Sequence, residues 1–595
     1  MARPNTFRFA PGVVKDATEL AASWTRSKRR WTDSDRIRFV GGLIQKLGGW
    51  AHQANGVFIG MCRGLLAWVD NTGVTQLAIG TNNKLYAVQV DTFNNITPIR
   101  KTSALTDPFT FTNTSADVVV TDAVHGAVNG DYVEITNTTE VAGITISGNY
   151  LVKSASANEY TITHSSAANA DIAGGGSVTI EYEISAGRVD GEQGTGWGVG
   201  PYGGRADPGG YGYGEAAIGE FLALPPLTWT LDKWGEYLIA NPRGGSIYEW
   251  QLSTSTRAAV VANAPTTVNA IFTTEEKHLV ALRNDLVVQW CNQGENAVWS
   301  PSDQNSAGSR EISGGSELLF GIPTRGTNLI FTDASVWTMT NIGGQDVFGF
   351  DQAAVGAAGI IGPRAAADAA GVVGWMGLGD FYYYDGAVRL MPNSSDIKQF
   401  VYDNLTDLQK EKVYCGTNSQ FTEWWWLYAT GTEIDRYVKV NYTDWSWDIG
   451  TLTRTALIDR GIFDNPIMTG TDGIIYKHEH GSDDIAGTAT ATSSMAEFAE
   501  SSPYALADGR AHMDIVSIIP DYTNVTGDLT ITILTRDFPQ ATKVSTALGT
   551  VTGTTTKVDP RISGKYVSYK HGASSIGGHW RMGSATFVVE PGGER

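Results

Sequence analysis

The chain has 595 residues, 18% of them charged, with 10% aromatics and 69 glycines. That length exceeds what one hydrophobic core supports, and the composition favours short strands, tight turns and aromatic packing over long amphipathic helices. A net charge of −19 argues against a nucleic-acid-binding surface as the main role, yet it suits a passage whose like-charged wall keeps DNA from sticking.

Residues 1–50 read as an extended, partly basic docking arm. The stretch SWTRSKRRWTDSDRIRFVGG sets Arg26, Arg29, Arg30 and Arg36 beside Trp31, the Arg and Trp pairing typical of interface anchors. The same stretch would equally suit a segment lying on its own domain. Residues 51–104 read as a first propeller blade: GVFIGMCRGLLAWVD, QLAIGTNNKLYAVQV and NNITPIR are strand-like, and Asn82 and Asn83 make a tight turn. A strand, a turn and a strand ending in an aromatic is the unit of a propeller blade.

In residues 105–185 aromatics thin out and Thr, Ser, Ala and Asn take over, which predicts a small inserted β-barrel or sandwich. Its His125, Gly126, Gly130 and Asp131 suggest a turn rather than a site. Residues 186–219 form a Gly- and aromatic-rich interaction loop with Trp197, Tyr202, Tyr211 and Tyr213 as anchors. No GxxxxGK[ST] occurs there, so a phosphate cradle is not expected.

Residues 220–499 return to the blade pattern at a spacing of about 40 to 50 residues. The expected fold is therefore all-β: a β-propeller of six or seven blades, an inserted small β-domain and a C-terminal β-sandwich-like module. One helix is expected, from Ser395 to Lys412, where Ile397, Phe400, Val401, Leu405 and Leu408 recur at helical spacing. Residues 500–595 alternate apolar and polar side chains as a separable β-module. Its last strand, around Ala585 to Val589, should be tied into a sheet or a partner.

Little in the chain points to chemistry. Cys62, Cys291 and Cys415 are distant from one another and form no CxxC, so folding in a reducing cytosol is expected. The N-terminal residues MARPNTFRFAPGVVKD have no apolar region of a secretory signal, and no apolar run is long enough to span a membrane. His478 and His480 would share one side of a strand, but no third ligand is near, which makes His478, Glu479 and His480 a solvated turn. Asp91, Asp232, Asp333, Asp385, Asp444 and Asp472 sit in turn contexts, and no SxDxGxxW, GxSxG or HExxH occurs. No catalytic residue, metal ligand or cofactor is therefore assigned, and the chain is not expected to be an enzyme. Trp424, Trp425, Trp426 and Tyr428 fit packing between blades, with at least one Trp turned out of its blade core because strand neighbours face opposite sides.

Taken in order, RRWTDSDRIRFVGGLIQKLGGW, LAIGTNNKLYAV with NNITP, GTGWGVGPYGG, and then IIPDY, LTRDFP, ISGKYV, HWRMG and PGGER carry a family likeness. The chain resembles the tail tubular protein B, or nozzle, family of short-tailed (podovirus) bacteriophages. The resemblance covers both ends and the first 220 residues, and the propeller by pattern only. It implies a structural virion protein that forms a homo-hexameric ring in the virion tail and is made in the host cytoplasm. The ring would extend the DNA channel below the tail adaptor protein and portal, support tail fibres or receptor-binding proteins, and pass genomic DNA without binding it specifically. Arg536, Arg561 and Arg581 would then serve contacts between subunits or with fibres. The insert at 105–185 departs from the family pattern. Two alternatives stay open: a carbohydrate-binding or depolymerising tail protein, and a tail-tip or hub protein of a long-tailed phage.

Overall fold

The computed structural model describes residues 3–22, 29–192, 224–344, 346–485, 492–506, 509–573 and 575–592. The chain divides into two units, one of Met1–Val57, Gly314–Ile342 and Phe348–Arg595, the other of Phe58–Ser313 with Gly343–Val347. The fold is all-β and propeller-like. Among the described residues nine sheets have four strands; two of these make a sandwich, and the other seven are antiparallel meanders.

The second unit holds three meanders and the sandwich. The first meander runs through Cys62–Val69, Thr75–Thr81, Leu85–Gln89 and Thr92–Asn95, with Asn82 and Asn83 at the turn between its second and third strands. It packs on the meander that begins at Trp229–Trp234, through a core shared by Trp68, Leu85, Trp229, Leu238 and Trp250. Glycine allows this approach. A Cβ on Gly64 would sit 2.7 Å from the Cβ of Trp229, and one on Gly80 would collide with the indole. The indole Nε1 then donates to the Thr81 carbonyl at 2.7 Å. The sandwich starts at Ile99 and ends at Glu183, with strands Ile99–Thr106 and Ser177–Glu183 paired in one of its sheets. It thus begins earlier than the composition change at residue 105 suggests. Phe109, Val118, Val133, Ile135, Ile162 and Ile180, drawn from both sheets, fill a single core.

The first unit holds four meanders. Three are each built from consecutive strands, beginning at Leu318–Thr324, Ala366–Ala369 and Tyr414–Asn418. In the fourth, Arg454–Ile458, Ile467–Gly470 and Ile475–His478 are completed by Trp50–His52, so a strand from near the start of the chain closes a sheet from near its end.

The expected helix is shorter than its periodicity. An α-helix covers Lys398–Asn404 between 3-10 turns at Ser394–Asp396 and Asp407–Lys412. Its first turn is held from outside: the Asp16 carboxylate accepts from the N–H groups of Gln399 (2.7 Å) and Phe400 (2.8 Å), taking the role of an N-cap. It stops because Leu405 and Thr406 are extended, and Thr406 N–H bonds to Ala429 of the neighbouring strand instead.

A twelve-stranded sheet completes the first unit, and it changes the reading of both chain ends. Residues 1–50 do not stand apart as an arm. Arg3–Arg8 pairs antiparallel with Ser584–Val589, Phe9 and Val13 pair parallel with Arg29 and Trp31, and Leu43–Lys46 also pairs with the last strand, His579–Pro591. Nor is 500–595 separable, since its strands need those of the N-terminal region. The physical reason is burial: Phe7, Val13, Trp31, Ile37 and Phe39 share one core with Ile515, Ile533, Tyr569, Trp580 and Phe587.

Candidate interaction surface

Five of the expected anchors, Arg30, Trp31, Arg36, Arg536 and Arg581, serve this internal packing. Trp31 is 2% exposed and lies against Phe9 and His571. Arg30 is buried, with Nη2 donating to Asp396 at 2.9 Å and Nε to the Gly12 carbonyl at 3.4 Å. Arg36 donates from Nε to Thr451 O and lies 4.0 Å from the Asp35 carboxylate. Arg536 bonds Glu19 at 2.7 Å, and Lys543 bonds the same carboxylate at 2.6 Å, so this end of the sheet holds the helix Glu19–Ala22. Arg581 donates to the Val40 carbonyl at 2.8 Å. Arg561 is exposed in a left-handed turn. These arginines are dispersed over the unit instead of forming one patch. Arg26, Trp197, Tyr202, Tyr211 and Tyr213 lie outside the described residues.

Arg29 differs from the others. Its guanidinium lies 4.4 Å from the centre of the Tyr504 ring and 5.0 Å from that of Phe7. Those two rings are 4.7 Å apart and edge-on to each other. Among the described residues one hydrogen bond holds it, from Nη1 to Pro503 O at 3.2 Å, and no carboxylate reaches it. Burial lowers the pKa of Arg29 from its ordinary value, with Tyr504 acting in the opposite direction. Arg29 lines a cleft of about 10 Å³ together with Phe7, Ser502, Tyr504, Met513 and Phe587. Such a space holds about one water-sized group. Ser502 is 2% exposed, and its Oγ has no hydrogen-bond partner.

A second polar centre was not legible in the sequence. The Arg38 side chain is fully buried and forks onto Glu423, with Nε–Oε1 and Nη2–Oε2 both at 3.2 Å. Its Nη1 donates to Glu479 at 2.8 Å and its Nη2 bonds the other oxygen of the same carboxylate. Lys439 bridges Glu423 (2.7 Å) and Asp448 (3.0 Å), and Trp425 Nε1 donates to Glu423 at 2.9 Å. Burial lowers the Arg38 pKa, but Glu423 and Glu479 outweigh it and raise the net value. Burial raises Glu423, and Arg38 and Lys439 reverse that and hold it below the usual carboxylate range. Asp448 is left with one buried oxygen unpartnered, and burial pushes its carboxyl up to about 7.

This centre corrects one expectation. His478, Glu479 and His480 are not a solvated turn. Only His480 is exposed; Glu479 is in the Arg38 cluster, and His478 is buried beside Trp50 with Nε2 bonded by Arg454 at 3.1 Å. Burial, then the charge of Arg454, drives the His478 pKa well below its ordinary value, so the ring is neutral. Every residue of strand Glu423–Ala429 is buried, and one Trp is turned out of the blade core, as the alternation of strand neighbours requires. Trp424 and Trp426 pack in the core with Trp375, Phe381 and Trp447, while Trp425 faces Tyr437 and the charged cluster on the opposite side. Among the described residues no group of three or more His, Cys, Asp or Glu could hold a metal ion.

No protein-family model and no curated protein matches the chain. Among solved structures, virginiamycin B lyase from Staphylococcus aureus is similar at 8% identity over 44% of this chain and 84% of that one, with a TM-score of 0.29. BamB from Moraxella catarrhalis is similar at 11% identity over 47% and 80%, also at 0.29. The AfRom2 CNH domain is similar at 13% identity over 47% and 90%, at 0.28. At this level the likenesses carry nothing about activity, substrate or partner.

Proposed function

We propose that the protein is a structural virion component, the nozzle ring of a short-tailed phage tail, with six copies continuing the DNA channel below the adaptor and supporting tail fibres. One observation carries this reading. The segments that resemble the nozzle family at the two ends of the chain belong to the same sheet. RRWTDSDRIRFVGGLIQK supplies Arg29–Asp35, Ile37–Val40 and Leu43–Lys46. IIPDY lies in Met513–Thr526, LTRDFP begins in Leu529–Arg536, ISGKYV spans Ile562–Gly564 and the start of Tyr566–Ala573, and HWRMG opens His579–Pro591. The likeness at the two ends of the sequence is thus a likeness of one folded element.

The seven meanders are read as seven blades, one of the two numbers that the repeat spacing allows. The net charge of −19 supports a channel wall that DNA passes without sticking. Electron microscopy of the purified protein and of the particle's tail tests the reading. A six-fold ring at the distal end of the tail is expected, and a five-fold or three-fold ring there overturns the hexamer. Release of reducing sugar from host polysaccharide would overturn the non-enzymatic role.

A further inference from the structure

The Arg29 cleft brings together a cation without a carboxylate partner among the described residues and a buried hydroxyl without a hydrogen-bond partner. A half-buried guanidinium that has lost part of its hydration is costly unless an anion pairs with it. Arg30, Arg38 and Arg536 each have a carboxylate within 3.2 Å, whereas Arg29 has one backbone carbonyl and two aromatic faces. The guanidinium lies against the neighbouring rings of Phe7 and Tyr504, where a cation is favoured, and its single hydrogen bond among the described residues leaves donors for a planar acceptor. Ser502, whose buried Oγ has no hydrogen-bond partner and could donate to a carboxylate oxygen, lines the same cleft. The cleft, about 10 Å³, has room for one small group.

From this we infer that the cleft is a socket for a single carboxylate, filled by an Asp or Glu side chain from a second copy of this chain when the protein assembles. The occupant is argued from charge and size. The chain carries 62 acidic against 43 basic residues, so each copy offers its neighbour a surplus of carboxylates. The same net charge repels nucleic acid. The inference deepens the ring reading and rests on it for the second copy.

The test compares self-association of the full chain and its Arg29→Gln and Arg29→Lys variants by sedimentation over a wide concentration range, with thermal melting as the check on folding. The wild type is expected to assemble, Arg29→Gln to assemble about ten-fold or more weakly, and Arg29→Lys to fall between them with unchanged melting. Folded Arg29→Gln that assembles as the wild type does overturns the socket and leaves the ring untouched. Assemblies without six-fold symmetry that still need Arg29 overturn the hexamer and leave the socket standing. A wild type that stays monomeric at every concentration overturns the second copy as occupant. The image of an assembled ring gives the direct readout: a neighbour's carboxylate within 4 Å of Arg29 is expected, and a cleft open to solvent refutes the inference.

Discussion

In the meanders that start at Cys62–Val69 and Tyr414–Asn418, each strand pairs with its neighbour in the chain, whereas in the terminal sheet Arg3–Arg8 pairs with Ser584–Val589 from the opposite end. The two kinds of sheet also bury polar groups differently. Strand Glu423–Ala429 buries Glu423 between Arg38 and Lys439, a charged group fully paired. The terminal sheet buries His571 against Trp31, Tyr522, Tyr569 and Trp580, with neither ring nitrogen bonded. The difference teaches that one site fails when a partner is removed, and the other when a proton is added.

The sharpest way to break the comparison is Glu423→Ala. It leaves Arg38 and Lys439 buried without the carboxylate they share, and a loss of up to about 5 kcal/mol is expected in urea unfolding. An effect below about 1 kcal/mol would show that water reaches the cluster and that the pairing is not what holds it.

The pH dependence of the two sites has opposite signs. Burial lowers His571 to about 3 in the folded chain, from an ordinary value of 6.5. The unfolded chain therefore takes the proton first, so stability is full above 6.5 and falls by up to roughly 4 kcal/mol as pH drops toward 3. Asp448 is raised from 3.8 to about 7, so its contribution is full below 3.8 and is lost as pH climbs through 7, by a similar roughly 4 kcal/mol. His571→Leu should remove the first slope and Asp448→Asn the second. Unfolding followed by tryptophan fluorescence from pH 4 to 8 checks both, and a variant with the wild-type slope shows that its group does not titrate there.

Gly80→Ala tests the packing of consecutive meanders. The added methyl meets the Trp229 indole, and a loss of about 1–3 kcal/mol is expected in thermal melts. The smallest effect belongs to Arg561→Gln, at an exposed position of the terminal sheet region; the change should stay within about 0.5 kcal/mol for the isolated chain. A larger loss would mean that Arg561 has a structural partner.

Much of the local pattern was legible. Alternation in MDIVSIIPDY and HWRMGSATFVVE marks strands with one buried face, and the buried positions Met513, Ile515, Ala585, Phe587 and Val589 follow it. The helix was legible only in part, because the periodicity of Leu405 and Leu408 says nothing of the Thr406 bond to Ala429. Arg29 was visible as an interface type of residue, but its isolation from carboxylates was not, and neither was the burial of Arg30. Arg38 in IRFV looks like any polar residue on a strand, and its partner Glu423 is 385 positions away.

By itself the sequence determined that this chain is all-β, where its turns fall and which strand faces are apolar, since those depend on residue type and a period of two. Tertiary structure alone decided which strands become neighbours. Trp50–His52 closes a sheet with Ile475–His478, and the two chain ends share a single core, because a strand's unpaired edge and apolar face accept whichever complementary strand buries them, near or far in sequence.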